Sequence, residues 1–261
     1  MSSLTPGFSL AMDDKPPSKA YQRNPEFYWE PVTFLVEDQL FKVTRHMLEK
    51  SSKTFLTAVL PREDTAAVAG SDDEHPVVIP GVRRADFENL LKSIVHAEQK
   101  AIPQFSQDEW FSVLDLATRW RMADVRRMAI LEITLLNSMK DVEQVVLGKE
   151  YAVVGWVRSG YWALTKRKTV VSTYSAKRLT LPTCLKVWQA QVSILNAAAL
   201  RGYGPDNLED QILNDIFASE LDVVYQQSLA FGDEPRLFMP NFSKIGLPAF
   251  LVPPPLTLTR K

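Results

Sequence analysis

Residues 32–60 read VTFLVEDQLFKVTRHMLEKSSKTFLTAVL. Two short apolar runs, Val32–Val36 and Leu40–Val43, flank the polar tripeptide Glu37-Asp38-Gln39, and that arrangement reads as a β-hairpin. A helical pattern follows at once. Met47 and Leu48 fall in one segment, and Phe55, Val59 and Leu60 in the next.

Working outward, the stretch Pro61–Pro76 ends in the acidic run Ser71-Asp72-Asp73-Glu74 and reads as a surface loop. Val77-Val78-Ile79, closed by Pro80-Gly81, is a third short strand. Beyond it the period changes. Phe87, Leu90, Leu91 and Ile94 recur at i, i+3, i+4 and i+7, which predicts one buried helix face. Ser106-Gln107-Asp108-Glu109 is a capping box, opening a helix with Trp110, Val113, Leu114 and Ala117 on one side. Asp124 is placed to cap the next helix, with Val125, Met128, Ala129, Ile133 and Leu136 along its inner face. A few strands followed by a run of helices argue an α+β fold; alternating strands and helices would be needed for a parallel α/β sheet.

A second helical set begins at Asp141. Val142, Val145 and Val146 lead to Tyr151, then to Val153, Trp156, Val157, Gly160, Tyr161 and Leu164. Lys166-Arg167-Lys168 end that helix, where cations favour the negative end of the dipole. Pro182 suits the first turn of another helix, with Leu185, Trp188, Val192 and Leu195 following. Gly202-Tyr203-Gly204-Pro205 breaks the pattern. Asp206 to Glu209 repeats the capping geometry ahead of a long amphipathic helix carrying Leu208, Ile212, Leu213, Ile216, Phe217, Leu221 and Val224. At the N-terminus, Pro6, Pro16, Pro17 and Pro25 among Ser, Asp and Lys predict a flexible leader. At the other end, residues 232–261 hold six prolines and no period. The predicted organisation is a leader (1–25), a mixed domain (26–136), a helical extension (137–196), a further helix (197–231) and an irregular tail (232–261).

Composition narrows the function classes. Of 261 residues, 46% are hydrophobic and 23% charged, enough apolar material for a packed core. A net charge of −1 supplies no global field for nucleic acid or anionic membrane. The single cysteine, Cys184, excludes an internal disulfide and a multi-cysteine metal site. No apolar run approaches the roughly 20 residues of a membrane span. The N-terminus lacks the basic start and apolar core of a secretory signal. These features fit an intracellular protein of the cytoplasm or nucleus that needs no membrane.

With the elements placed, the chain resembles a BTB/POZ domain followed by a helical extension. The opening of that family runs as an apolar strand, a turn, Phe-x-Val or Phe-x-Ala, a basic residue, Leu, then Ser-x-x-Phe. Here those places hold Phe34, Phe41, Val43, Arg45, Leu48, Ser52 and Phe55, with Thr44 where the family often has His. Val77–Ile79 with Phe87 and Leu91 are similar to its third strand and third helix, and Glu109–Ala117 with Trp120, Val125 and Ala129 to its last two helices. Leu147-Gly148-Lys149-Glu150-Tyr151, paired with Val154-Gly155-Trp156 and followed by Leu179 and Lys186-Val187, resembles the extension found in a large group of such proteins in mushroom-forming fungi. The likeness covers about Pro25 to Leu195.

The resemblance implies a protein-interaction module without catalysis or cofactor, with protein partners and self-association. In the family, homodimers form through the first strand and first helix, here Phe27–Val36 and Arg45–Lys50, making Phe27, Trp29 and Met47 the candidate dimer contacts. Phe27 and Trp29 either anchor a dimer or fold back on their own domain. The alternative roles are an adaptor for a cullin-type ubiquitin ligase and a transcription-associated scaffold. For the adaptor role, the family's hydrophobic-x-Glu motif has its nearest candidate in Pro61-Arg62-Glu63, with proline at the hydrophobic place. The expected core is Phe34, Phe41, Leu48, Phe55, Phe87, Leu91, Trp110, Leu114 and Trp156, and core packing is also the favoured place for Trp120 and Trp188.

Chemistry-bearing residues are sparse. His46, His75 and His96 are scattered without ligand spacing; His46 is expected partly buried, the other two solvated. Cys184 at a helix start reads either as a dipole-activated thiolate or, more commonly, as a small core thiol. There is no phosphate loop, G-x-S-x-G elbow or HExxH. Lys166-Arg167-Lys168 lacks any accompanying DNA-binding pattern, so direct nucleic-acid binding is not expected.

Overall fold

The computed structural model describes residues 22–24, 26, 28–59, 69–99, 102–167, 172–201 and 208–232. Within them lie a three-stranded mixed sheet and ten helices, an α+β fold dominated by helix. Strands β1 (Pro31–Val36) and β2 (Gln39–Thr44) form the antiparallel hairpin, with Phe34 opposite Phe41 and Val36 opposite Gln39. The loop is therefore two residues, Glu37-Asp38, one shorter than the tripeptide read from sequence. Glu37 takes a left-handed φ of 54°, and its Oε2 accepts the Arg84 amide at 3.2 Å. One turn residue thus closes the hairpin and satisfies an orphan donor at a helix start.

β3 (Val77–Val78) lies parallel to β1 on its other side, and Ile79 N–H continues the ladder to Leu35 O at 3.0 Å. The approach to β3 depends on Gly70. Its φ is +81°, its carbonyl accepts Thr33 N–H at 2.9 Å, and a Cβ there would meet Val32 Cγ1 at 2.8 Å.

Short helices α1 (Arg45–Ser51) and α2 (Lys53–Val59) follow the hairpin. Then come α3 (Arg84–Glu98), α4 (Gln107–Arg119) and α5 (Ala123–Leu136). The capping box opens α4: Glu109 Oε2 accepts Ser106 N–H at 2.8 Å, and Ser106 Oγ accepts Glu109 N–H at 3.4 Å. Phe34, Phe55, Phe87 and Trp120 meet in one aromatic nucleus, with ring centroids 4.7–6.1 Å apart along its contacts. Leu48, Leu91, Trp110 and Leu114 are buried in the same core. Phe41 is half-buried, its ring edge-on to Phe87 at 5.1 Å.

α5 departs from its expected face. Its N-cap is Met122, with Asp124 in the first turn rather than at the cap. Arg126 and Ile130 are buried while Leu136 is exposed, so the inner face is rotated from the expected one. Arg126 takes an inward place because its fork finds acceptors: Thr118 Oγ1 at 2.7 Å and the Tyr151 carbonyl, with Phe231 stacked on the guanidinium at 4.5 Å. A buried guanidinium is stable only when so bonded.

The second helical set begins at Asp141, but as two helices, α6 (Asp141–Glu150) and α7 (Val154–Lys166). The break at Tyr151-Ala152-Val153 corrects the single run read from sequence. Val153 N–H bonds Gly148 O at 2.7 Å, Ala152 N–H bonds Lys149 O at 3.4 Å, and Ala152 has φ 52°. That is a Schellman stop built on alanine where glycine is usual. The two helices then pack backbone to backbone. A Cβ on Gly148 would meet Val157 N at 2.8 Å, and one on Gly160 would meet Asp141 O at 2.7 Å.

α8 (Thr173–Leu179), α9 (Leu181–Arg201) and α10 (Leu208–Leu229) complete a second core. Leu213, Phe217 and Val224 of α10 share it with Val142, Val157, Tyr161 and Leu164. The helix set apart at 197–231 in the sequence is therefore packed into the extension. Trp156 links the halves, lying in the first core and donating its indole N–H to Thr134 Oγ1 at 2.7 Å.

Trp188 is the main correction to the expected core. It is 61% exposed, and Leu185 and Leu195 beside it are exposed too. α9 turns Thr183, Val187 and Ala190 inward instead. The sequence is apolar on two faces of this helix, and the face with the smaller side chains is the one that is buried.

Candidate interaction surfaces

The expected dimer contacts lie at the start of β1. Asn24 organises the approach: its side chain accepts Glu26 N–H at 2.9 Å and its carbonyl accepts Tyr28 N–H at 3.0 Å. Tyr28 and Trp29 then point outward, 52% and 58% exposed. Arg23 lies over the Tyr28 ring at 4.8 Å. Trp29 Nε1–H donates to Glu26 O at 3.0 Å, so its one polar group is already satisfied within the chain. An exposed indole in that state can be covered by a partner without stranding a donor.

α1 is tied to the same edge. Pro31 pairs with Thr44, and Arg45 N–H donates to Glu30 O at 2.8 Å. Trp29 and the first turn of α1 therefore share one end of the sheet. Met47 is half-buried and packs against the first core, so it backs this edge more than it projects from it. Phe27 and the tripeptide Pro61-Arg62-Glu63 lie outside the described residues, as do most of the leader, Gly202–Asp206, Lys168 and the tail beyond Gly232.

The remaining candidates are dispersed. His46 is exposed, not partly buried, because it falls on the outer side of α1. His75 Nδ1 lies 2.8 Å from Asp72 Oδ1, and the hydrogen bond from that imidazole holds the Asp72 carboxyl below its usual range despite some desolvation. His96 is half-buried and bonds the Lys92 carbonyl at 2.7 Å. Burial pushes the half-buried Cys184 thiol up, the opposite of dipole activation. Lys166 pairs with Glu209 and Arg167 with Asp141, so these two cations are spent on ion pairs within the fold. Among the described residues, no three His, Cys, Asp or Glu side chains cluster as metal ligands, and no helix is long and apolar enough to cross a membrane.

One polar cluster was not foreseen from the sequence. Glu220 of α10 accepts from Lys149 at 2.6 Å, from Lys186 at 2.8 Å and from the Tyr161 hydroxyl. Tyr161 also stacks on Phe217 with centroids 3.8 Å apart. Burial opposes ionisation of Glu220, but these hydrogen bonds outweigh it and hold the carboxyl at about 2. Burial, then the bond to Glu220, pushes the Tyr161 hydroxyl well above its ordinary range. Neither group is poised to exchange protons near neutral pH, and the arrangement acts as a clamp joining α6, α7 and α9 to α10. Its members are 71 and 34 residues apart in sequence, so no local motif announces it.

Comparison with protein-family models, with curated proteins and with solved structures returns no match.

Proposed function

We propose that this chain is a BTB/POZ-type interaction module that binds copies of itself through the β1–α1 edge and serves as a scaffold, without catalysis or cofactor. The observation that carries this is the exposed Tyr28-Trp29 pair, with the Trp29 indole N–H already bonded to Glu26. Aromatic side chains of this kind concentrate interface energy. Support also comes from the Ser-x-x-Phe element. Ser52 Oγ caps α2 by accepting Phe55 N–H at 3.1 Å and donates to the Trp120 carbonyl at 2.7 Å. Both the hydroxyl and the phenyl ring are thus used to hold the helices behind the hairpin, giving the exposed edge a rigid base.

The test is the mass of the full chain in solution against Trp29→Ala. The variant is expected to lower the mass of the associated species while circular dichroism stays unchanged, because the residue is exposed. An identical mass for the two chains would remove the β1–α1 edge as a contact.

A further inference from the structure

α9 carries a second apolar face that the described residues leave largely uncovered. Leu181, Leu185, Trp188 and Leu195 are 57–70% exposed, Val192 is half-buried between them and Ala199 is exposed. Their spacing is 4, 3, 4, 3, 4. At 100° per residue all six fall within roughly 80° of arc, the narrow seam of a coiled coil. The opposite side of the helix, with Val187 and Ala190, is buried in the second core. The helix is therefore held rigidly by one face and presents the other.

We infer that this seam pairs with the same seam of a second copy. Three observations favour that occupant. The 3-4 spacing is complementary to another helix with the same spacing, which a second copy of the chain supplies. Between Leu181 and Arg201 the only charged residues are Lys186 and Arg201, and Lys186 is paired with Glu220 inside the fold. Gln189 and Asn196 beside the seam are neutral and exposed, so two copies meet without like-charge repulsion. Finally, four such side chains make an apolar patch on the order of 400 Å², the size of the largest patch on an ordinary monomer, which is often functional. As the apolar half of an interface, that matches the roughly 800 Å² per partner of a stable complex.

The inference is independent of the β1–α1 edge, and the two are separable. Two self-complementary faces on one chain build assemblies beyond a dimer. In the Trp29→Ala background the first face is gone, and the full chain is expected to remain a dimer at about 100 µM. Adding Trp188→Glu is expected to weaken that dimer at least tenfold, with circular dichroism unchanged because the site is on the surface. Leu185→Glu, one turn away, should do the same. A Trp29→Ala chain that is monomeric at that concentration overturns the seam. So does a double variant that dimerises as tightly as Trp29→Ala alone. Should wild type and Trp29→Ala have equal masses while Trp188→Glu in either background dissociates, the seam stands and the β1–α1 edge falls. A wild type that is itself monomeric removes both, leaving the stripe to the tail or to another protein.

Discussion

Phe55 shows how much one residue can carry in this fold. Its ring is fully buried between Phe34 and Trp120. Its amide is bonded by Ser52, whose hydroxyl also reaches the Trp120 carbonyl. Phe55→Ala removes the transfer energy of the ring and leaves a cavity in the aromatic nucleus, a cost of about 3–5 kcal/mol. Set against a typical domain stability of about 5–15 kcal/mol, that loss should appear as a large fall in the melting temperature of the full chain. An unchanged Tm would mean that the nucleus is not packed as described. This much is legible in the sequence, because Phe55 falls on the apolar stripe of its helical segment and Phe87, Leu90 and Leu91 recur at i, i+3 and i+4. Arg126 is not, because a cation on a helix reads as solvated until its acceptors, eight and twenty-five residues away, are brought to it.

At the scale of elements, two helix stops carry little local signal in the sequence. The α6–α7 break and the stop after α4 both rest on non-glycine residues in the left-handed region, Ala152 at φ 52° and Arg121 at φ 54°. Without glycine the usual helix-stop signal is missing. α9 misleads differently: with apolar residues on two faces, periodicity locates a stripe but not which stripe is covered. The attachment of α10 is decided by long-range pairing, and it gives a pH-dependent prediction. The Glu220 carboxyl is held at about 2 against an ordinary value near 4.5. A depressed folded-state value contributes stability that is complete above the ordinary value and lost as pH falls through the folded one. Protonation leaves Lys149 and Lys186 facing each other without their anion. Amide exchange protection over residues 208–229, corrected for intrinsic rate, should therefore fall between about pH 4.5 and pH 2. In Glu220→Gln this dependence should be weaker, leaving the part that Glu209 and Asp210 contribute through Lys166 and Arg158. Protection that stays level across that window in the wild type would mean that the clamp does not hold the helix.

For the molecule as a whole, two cores are joined by Trp156 and Arg126, and the exposed aromatic and aliphatic residues include two groups that bear on association, Tyr28-Trp29 at the β1–α1 edge and the outer face of α9, besides others such as Leu131, Leu135 and Leu136 of α5. The first was visible in the sequence as an aromatic cluster ahead of a strand; the second required knowing which side of α9 the fold covers. Both surfaces converge on one claim, that the chain associates with itself. Sedimentation equilibrium of the full chain from about 1 to 100 µM tests it most directly, since interfaces of micromolar strength populate their complexes in that range. The predicted result is a mass that rises with concentration above twice the 29.5 kDa of one chain. A constant 29.5 kDa throughout would contradict it.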